Sequence, residues 1–389
     1  MPFRQARHEQ LTRRRLVTVA GLLALLAAVA APAVPRAAAA ASLSISIKGN
    51  HFVDGTGKTV QLRGVDEIST EYWCTFGFST GTPQYATYTL PAEAKYIASW
   101  HANAVRIPLN EDCWLGLNGE PAWQGDTAAG YRQAIEGFVK DVNAQHMYAI
   151  LDLHWSANGS TQSKAQAQLG DDHSVAFWKS VAGAFKSDHA VIFDAFNEPV
   201  SQPGAPISWA CWRNGGCPVS STYGSTAHTY PAVGMQALVS AIRSAGATEP
   251  IMLGGLNWAN DLSGWLANEP KDTLRPAQLA ASYHNYEGSS CATTTCWNTT
   301  ITSVASKVPV VTGEFGQFAC QTTFDTQWMD WADAHGVSYL AWAFVASDKG
   351  SPSCGQPGYG PDLLTPDLSS PQAPNGTQVY NHLTKFPKP

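Results

Sequence analysis

Two glutamates stand where acid and nucleophile chemistry could be built: Glu198 in Phe196-Asn197-Glu198-Pro199 and Glu314 in Gly313-Glu314-Phe315-Gly316. Each follows a short apolar run, Val191 to Phe196 and Val308 to Thr312. Cleavage of a glycosidic bond needs two facing carboxyls, one protonated to serve the leaving oxygen and one ionised beside the anomeric carbon. One buried Glu alone could equally be half of a structural ion pair. Two of them at strand ends, with Asn197 and Tyr286 in place, argue for a site.

Other polar residues gather at the ends of similar runs: Asp66-Glu67, Arg106, Asp152 with His154 and Trp155, Asn257-Trp258, His284-Asn285-Tyr286 and Trp342. Several have structural alternatives. Arg106 could pair with Asp66 or Glu67, His154 could be a core histidine or a metal ligand, and Trp342 could be packing alone. A metal is disfavoured because amidohydrolase-type barrels carry His-x-His on the first strand, where this chain has Val65-Asp66. No metal and no cofactor is expected.

The elements that must position these residues are eight apolar runs: Val60 to Val65, Asn103 to Ile107, Tyr148 to Leu153, Val191 to Phe196, Ile251 to Leu256, Leu279 to Tyr283, Val308 to Thr312 and Tyr339 to Phe344. Continuous apolar character suits parallel strands covered on both faces. Helical patterns lie between most of them, at Leu90 to Trp100, Ala128 to Gln145, Ser174 to Phe185, Pro231 to Ser244 and Thr322 to His335. Eight such units predict an α/β fold, a (β/α)8 TIM barrel with its chemistry at the carboxyl ends of the strands. Strands four and seven, which carry the two glutamates, are expected on opposite sides of the ring. Before the barrel, Leu43 to Leu62 alternates and turns at Gly49-Asn50 and Asp54 to Gly57. This predicts an N-terminal β-hairpin packed on the barrel's end.

The ordered motifs Val105-Arg106-Ile107-Pro108, Leu151-Asp152-Leu153-His154, Phe196-Asn197-Glu198-Pro199, His284-Asn285-Tyr286, Gly313-Glu314-Phe315-Gly316 and Trp342 resemble glycoside hydrolase family 5, the cellulase family of the clan A barrels. The resemblance spans roughly residues 60 to 345 and implies a retaining enzyme. By it Glu198 is the acid/base and Glu314 the nucleophile, supported by Arg106, His154, Asn197, His284, Tyr286 and Trp342. Asn197 can donate to a sugar 2-hydroxyl, while Tyr286 and Arg106 can donate to Glu314 and hold it ionised. The implied substrate is a β-linked polysaccharide or oligosaccharide, with endo-β-1,4-glucanase as the leading expectation. The alternatives are exo action or another β-glycan such as mannan or β-1,3-glucan, and, from another class, a non-catalytic carbohydrate-binding protein. Loop segments Glu67 to Gly81, Cys211 to Cys217 and Cys291 to Cys296 depart from the cellulase pattern, and loops on this face set specificity.

Fourteen tryptophans add a second signal. Those at 73, 114, 155, 209, 212, 258 and 297 fall in expected loops, where aromatic faces can bind sugar rings. About half should be core or loop anchors. Trp155 and Trp258 are the expected sugar platforms, and the loop Ser208 to Pro218 should shape one end of the cleft.

Of 389 residues, 44% are hydrophobic and 14% charged, which excludes disorder as the main state. The net charge of −6 hides an asymmetry. Residues 1–41 hold six of the 24 basic residues and one of the 30 acidic ones, so the remainder carries −11. That balance opposes a nucleic-acid partner. The basic cluster, the apolar run Leu16 to Ala31 and the alanine tract ending at Ala41 read as an export signal, and Thr12 to Leu16 also fits a twin-arginine signal. Residues 42–389 are then expected to be a single catalytic domain, secreted and extracellular, monomeric, and free of the membrane once the signal is cleaved. Eight cysteines agree with export. The expected pairs are Cys211 with Cys217, Cys291 with Cys296, Cys74 with Cys113 and Cys320 with Cys354.

Overall fold

The computed structural model describes residues 43–72, 74–75, 90–120, 127–200, 206–223, 226–345 and 360–389. The expected export signal, Trp73 and Cys354 lie outside those residues. The described chain opens with three short antiparallel strands, β1 (Ile45–Lys48), β2 (His51–Asp54) and β3 (Thr59–Val60). Four parallel strands follow: β4 (Arg63–Asp66), β5 (Ala104–Asn110), β6 (Tyr148–Trp155) and β7 (Val191–Asp194). After an antiparallel pair, β8 (Pro218–Tyr223) and β9 (Thr226–Pro231), come β10 (Ile251–Gly254), β11 (Leu279–Tyr286), β12 (Val310–Gly316) and β13 (Ser338–Ala341). The eight parallel strands close in the ring order β10-β11-β12-β13-β4-β5-β6-β7. This is the expected (β/α)8 barrel.

Alternation along each strand divides the core in two. Ile107 and Leu109 of β5, Leu151 and Leu153 of β6 and Phe193 of β7 join the large outer cluster packed under the helices. Ala104, Ile150, Ile192, Met252, Ala280, Val311 and Leu340 form a separate cluster with Ile45, Ile47 and Phe52 of the N-terminal sheet. That sheet therefore caps the amino-terminal end of the barrel. Gln278 fastens it, its Oε1 accepting from the Ile47 amide at 2.6 Å and its Nε2 donating to the Ile47 carbonyl at 3.0 Å.

Several boundaries differ from expectation. The run Val60 to Val65 divides, because Val60 pairs with Phe52 in the cap while Arg63–Asp66 enters the barrel. The expected hairpin is thus a three-stranded sheet. Strands β11 and β12 run on to Tyr286 and Gly316, since their parallel pairing continues past a bulge at His284 and Glu314. The helix expected from Pro231 begins at Met235, residues 226–231 having joined β9. The stretch from Pro361 carries a helix, Asn375–Leu383, whose Val379 and Leu383 enter the outer core while His382 Nε2 meets Asp333 at 2.9 Å.

Three expected disulfides form: Cys74–Cys113, Cys211–Cys217 and Cys291–Cys296. No helix among the described residues is long and apolar enough to cross a membrane. Phe52, 2% exposed, is a large apolar contributor to the cap. Replacing it with Ala should cost about 3 kcal/mol, as for buried aromatics generally. Chemical denaturation should report that loss with kcat unchanged, because the cap lies at the end of the barrel away from the polar strand ends.

Candidate active site

At the carboxyl ends the barrel interior changes from apolar to charged. Arg106 points inward from β5, fully buried, and its guanidinium meets four acids. Nε donates to Asp194 at 3.0 Å, Nη1 to Asp66 at 3.0 Å and to Glu314 at 2.9 Å, and Nη2 lies 3.1 Å from Asp152. Nη2 also donates to Asn197 Oδ1 at 2.7 Å. Of the two structural partners considered for Arg106, it takes Asp66 and not Glu67, and it contacts Glu314 at the same time.

Glu314 receives a second donor from Tyr286, whose hydroxyl lies 2.7 Å from Oε2. A cation and a phenol thus converge on its two oxygens and fix its orientation. Glu198 has different company. His284 Nδ1 lies 2.9 Å from its Oε1, and Gln166 donates to its backbone carbonyl at 2.8 Å. Only 12% of the Glu198 side chain is exposed, and burial pushes its carboxyl up to about 7. The two glutamates are therefore held in unlike environments.

The ring order corrects one expectation. Strands β7 and β12 are not diametrically opposed: β10 and β11 lie between them on one side and four strands on the other. His284 of β11 fills the gap, 3.5 Å from Glu314 Oε2 as well as 2.9 Å from Glu198. One atom from each of Glu198, His284 and Glu314 lies within 4.8 Å of the others. A Cβ at residue 313 would stand 2.9 Å from His284 Nε2, so Gly313 leaves room for that imidazole.

Burial pushes both histidines down, His154 to about 4 and His284 to about 3, so each is neutral near pH 7. His154 Nδ1 lies 2.7 Å from Asp152, and its Nε2 faces the Asn197 amide at 3.4 Å. A neutral ring satisfies both by donating from Nδ1 and accepting at Nε2. The Asn197 amide also donates to Gln166 Oε1 at 3.1 Å. Trp342 is half-buried and stacks on His154, with ring centroids 5.5 Å apart and planes 11° from parallel.

Of the expected platforms, Trp258 is 49% exposed on a groove of 540 Å³ lined also by Glu198, Asn257, Tyr286 and Phe318. Trp155 is half-buried beside Tyr72, with centroids 5.6 Å apart. Trp114, Trp212 and Trp297 are buried anchors. Trp212 donates to the Gly254 carbonyl at 2.8 Å, and Trp209 packs where Gly264 has no side chain. The loop Ser208 to Pro218 is thus pinned to the barrel by its tryptophans. Sequence reasoning did not single out Gln166, Asp194 or Phe318. Asp194 hides in an apolar run, Gln166 lies in an irregular loop, and Phe318 is an exposed aromatic four residues beyond Glu314, 54% exposed and stacked on Tyr286 at 5.5 Å.

A sequence model of the family described as Cellulase (glycosyl hydrolase family 5) matches residues 53–348. The chain belongs to glycosyl hydrolase family 5. It is accordingly a glycoside hydrolase, as the ordered motifs implied. Relatives include the cellulase/esterase CelE of Acetivibrio thermocellus, 25% identical over 44% of this chain but only 22% of that protein. The mannan endo-1,4-beta-mannosidase of Streptomyces lividans is 25% identical over 86% of this chain and 76% of its own length. Among solved structures, a beta-glucanase from Saccharophagus degradans in complex with cellotetraose matches with a TM-score of 0.64 at 19% identity, over 88% of this chain and 94% of that one. The catalytic domain of a mannanase from Streptomyces sp. SirexAA-E gives 0.60 at 19% identity, over 92% and 97%. These structural likenesses concern the fold.

Among the described residues, acids and histidines gather closely enough to hold a cation in the mouth, at Glu198, His284 and Glu314, and separately around His173. In the mouth the Arg106 guanidinium already supplies positive charge beside Glu314.

The family barrel here buries a surplus of acids. Burial pushes Asp152 and Asp194 up to about 7, and Glu71 and Glu93 up to about 8. Each carboxyl has a folded pKa above its unfolded one, so the folded state holds these protons more tightly. Stability is fullest below the ordinary carboxylate range and falls as pH rises toward 8. The thermal midpoint at pH 5 should exceed that at pH 8 by several degrees. A midpoint that rises with pH across this window would contradict the assignment.

Proposed function

We propose that the chain is an exported, retaining β-glycosidase that cuts internal bonds of β-1,4-glucan, with Glu198 as acid/base and Glu314 as nucleophile. The observation that carries the retaining mechanism is the approach of Glu198, His284 and Glu314 within 4.8 Å. Retaining enzymes hold their carboxyls roughly 5–5.5 Å apart, whereas inverting enzymes need about 6.5–9.5 Å to seat a water between them.

In the first step Glu314 attacks the anomeric carbon as Glu198 protonates the departing glycosidic oxygen, giving a glycosyl ester on Glu314 and a free hydroxyl on the leaving chain. In the second, Glu198, now ionised, takes a proton from a water that attacks the same carbon, and the ester bond breaks to restore Glu314. The buried acid at about 7 suits the first step, and its loss of that proton in the reaction suits the second. Arg106 and Tyr286 hold the nucleophile aimed. Asn197 is fixed beside the acid, through Oδ1 by Arg106 and through its amide by Gln166, and would have to release one of its amide contacts to donate to the sugar's 2-hydroxyl.

The open groove with Trp258 and Phe318 on its walls supports a polymeric substrate. The cellulase name among the relatives supports glucan. Mannan is the second reading, favoured by the broader match to the mannosidase. Three disulfides accord with export to an oxidising compartment.

Hydrolysis of β-1,4-glucan, mannan, xyloglucan and β-1,3-glucan, with product sizes resolved, separates these specificities. Internal cleavage of glucan yields a spread of oligosaccharides; a single small product would overturn the endo assignment. Glu314→Ala should lower kcat by at least 10^4-fold, roughly the loss seen on removing a catalytic group elsewhere. Azide should partly restore turnover and give a glycosyl azide of inverted configuration; wild-type activity in the variant would end the proposal. Because Glu198 must carry its proton for the first step, kcat/KM should fall as pH rises through about 7. Glu198→Gln should remove that alkaline limb along with most activity on poor leaving groups.

A further inference from the structure

A second cluster of acids lies outside the mouth, where the loops after β5 and β6 meet. Glu111 and Asp112 open the short helix Glu111–Leu115 directly after β5. Asp171, Asp172 and His173 precede the helix Ser174–Phe185. Ligand atoms of Glu111, Asp112 and His173 lie within 4.8 Å of one another, as do those of Asp171, Asp172 and His173. His173 is common to both groups.

Glu111 decides what the cluster is for. It is fully buried; its near neighbours are the Asp171 carboxyl and the Ser174 hydroxyl, and neither carboxylate oxygen meets a well-aligned donor. Oδ2 of Asp171, also fully buried, has none either, nor has His173 Nδ1. Nδ1 stands 3.9 Å from Glu111 Oε1 and 3.9 Å from Asp172 Oδ1, too far to bond to either. Two ligands each about 2.0–2.6 Å from one ion lie roughly 3–5 Å apart, so this spacing fits a shared ion between them. Acids in a first helical turn also complement the helix dipole, but that effect needs no sealed carboxylate without a donor. An unpaired buried carboxylate is costly unless a cation or a proton neutralises it.

We propose that Glu111, Asp112, Asp171, Asp172 and His173 bind one hard divalent cation of the calcium or manganese class, which clamps the two loops together. Carboxylate oxygens select hard cations, and the imidazole extends the choice to manganese. The ion is structural. Asp112 already ties these loops, accepting from the Ser163 amide at 2.9 Å and from Asn118, which in turn donates to the Thr161 carbonyl at 2.9 Å. The same loop carries Gln166, the residue that holds Asn197 and the Glu198 backbone.

The test is thermal unfolding and calorimetric titration of the chelator-stripped enzyme with CaCl2 and MnCl2. At least one should bind saturably and raise the midpoint by roughly 3–6 °C. Glu111→Gln and Asp171→Asn should each lose that rise, and both should be no less stable than wild type without cation, having shed buried charge. Asp172, whose side chain is 60% exposed, provides a variant safe for folding. Asp172→Ala should raise the half-saturating concentration roughly tenfold. Absence of binding by both ions would overturn the proposal and assign protons to the cluster. A rise that survives in Glu111→Gln or Asp171→Asn would overturn it too, placing the ion elsewhere. The readout does not depend on glycosidase activity, so it stands or falls apart from the assignment of Glu198 and Glu314.

Discussion

The Arg106 guanidinium is the constraint around which the mouth of the barrel is arranged. It is one buried cation in contact with Asp66, Asp152, Asp194 and Glu314, all within 3.1 Å. Removing a guanidinium from water costs several kcal/mol, and the surrounding acids offset this only if their geometry is fixed. The barrel fixes it. Asp66 pairs in register with Arg106 across β4 and β5, and Asp152 with Asp194 across β6 and β7. Arg106 thereby closes one layer of the interior with contacts to β4, β6, β7 and β12, and an apolar layer lies beneath it.

From that hub the division between the two glutamates follows. Glu314 shares Nη1 of Arg106 with Asp66 and adds the Tyr286 hydroxyl, so its negative charge is met on both oxygens. Glu198 gets no direct contact with the guanidinium. It is linked to it through its neighbour Asn197, whose oxygen is held by Nη2, and its own largely buried carboxyl meets a neutral imidazole at the groove wall. One cation placed asymmetrically thus gives the two carboxyls unlike surroundings: burial raises the pKa of Glu198, while Glu314 is held by Arg106 and Tyr286. Asp152 extends the same logic outward, bonding both Arg106 and His154, and His154 supports the face of Trp342.

How much of this could be read beforehand depends on whether a residue announces itself at a strand end. Glu198, Glu314, His284 and Tyr286 follow apolar runs at turns of composition, so the strand-end rule finds them. Asp194 does not, because it replaces one inward position inside Val191 to Phe196, and a run scored for continuity absorbs a single charge. The clue was the period of two: inward residues of β6 read Ile150, Asp152, His154, apolar at one end and polar at the other. The antiparallel pair β8 and β9 was missed for the opposite reason. Its residues are mostly Ser, Thr, Tyr and Pro, and it is paired through backbone bonds with no apolar run to mark it. Trp209 and Trp212 were legible as aromatic and loop-borne, but whether such a ring faces a cleft or a core depends on what stands opposite, here Gly264 and the Gly254 carbonyl.

The backbone at residues 257–259 ties the groove to the acid. Asn257, Trp258 and Ala259 all have φ between 53° and 60°, a left-handed run that non-glycine residues adopt only under constraint. The constraint is visible: the Trp258 amide donates to the Pro199 carbonyl at 3.1 Å, and the Ala259 carbonyl accepts from the His284 amide at 3.0 Å. Pro199 follows Glu198 directly, and His284 is the partner of its carboxyl. The segment carrying the exposed indole is therefore tied by backbone bonds to the two residues that flank Glu198, Pro199 in sequence and His284 at its carboxyl. A sugar ring lying on Trp258 would be registered against Glu198 by two backbone hydrogen bonds, one to Pro199 and one from His284. A loop in relaxed conformation could carry a tryptophan as well, but it could not fix the distance between the aromatic face and the acid, and that fixed distance is what the strained turn supplies.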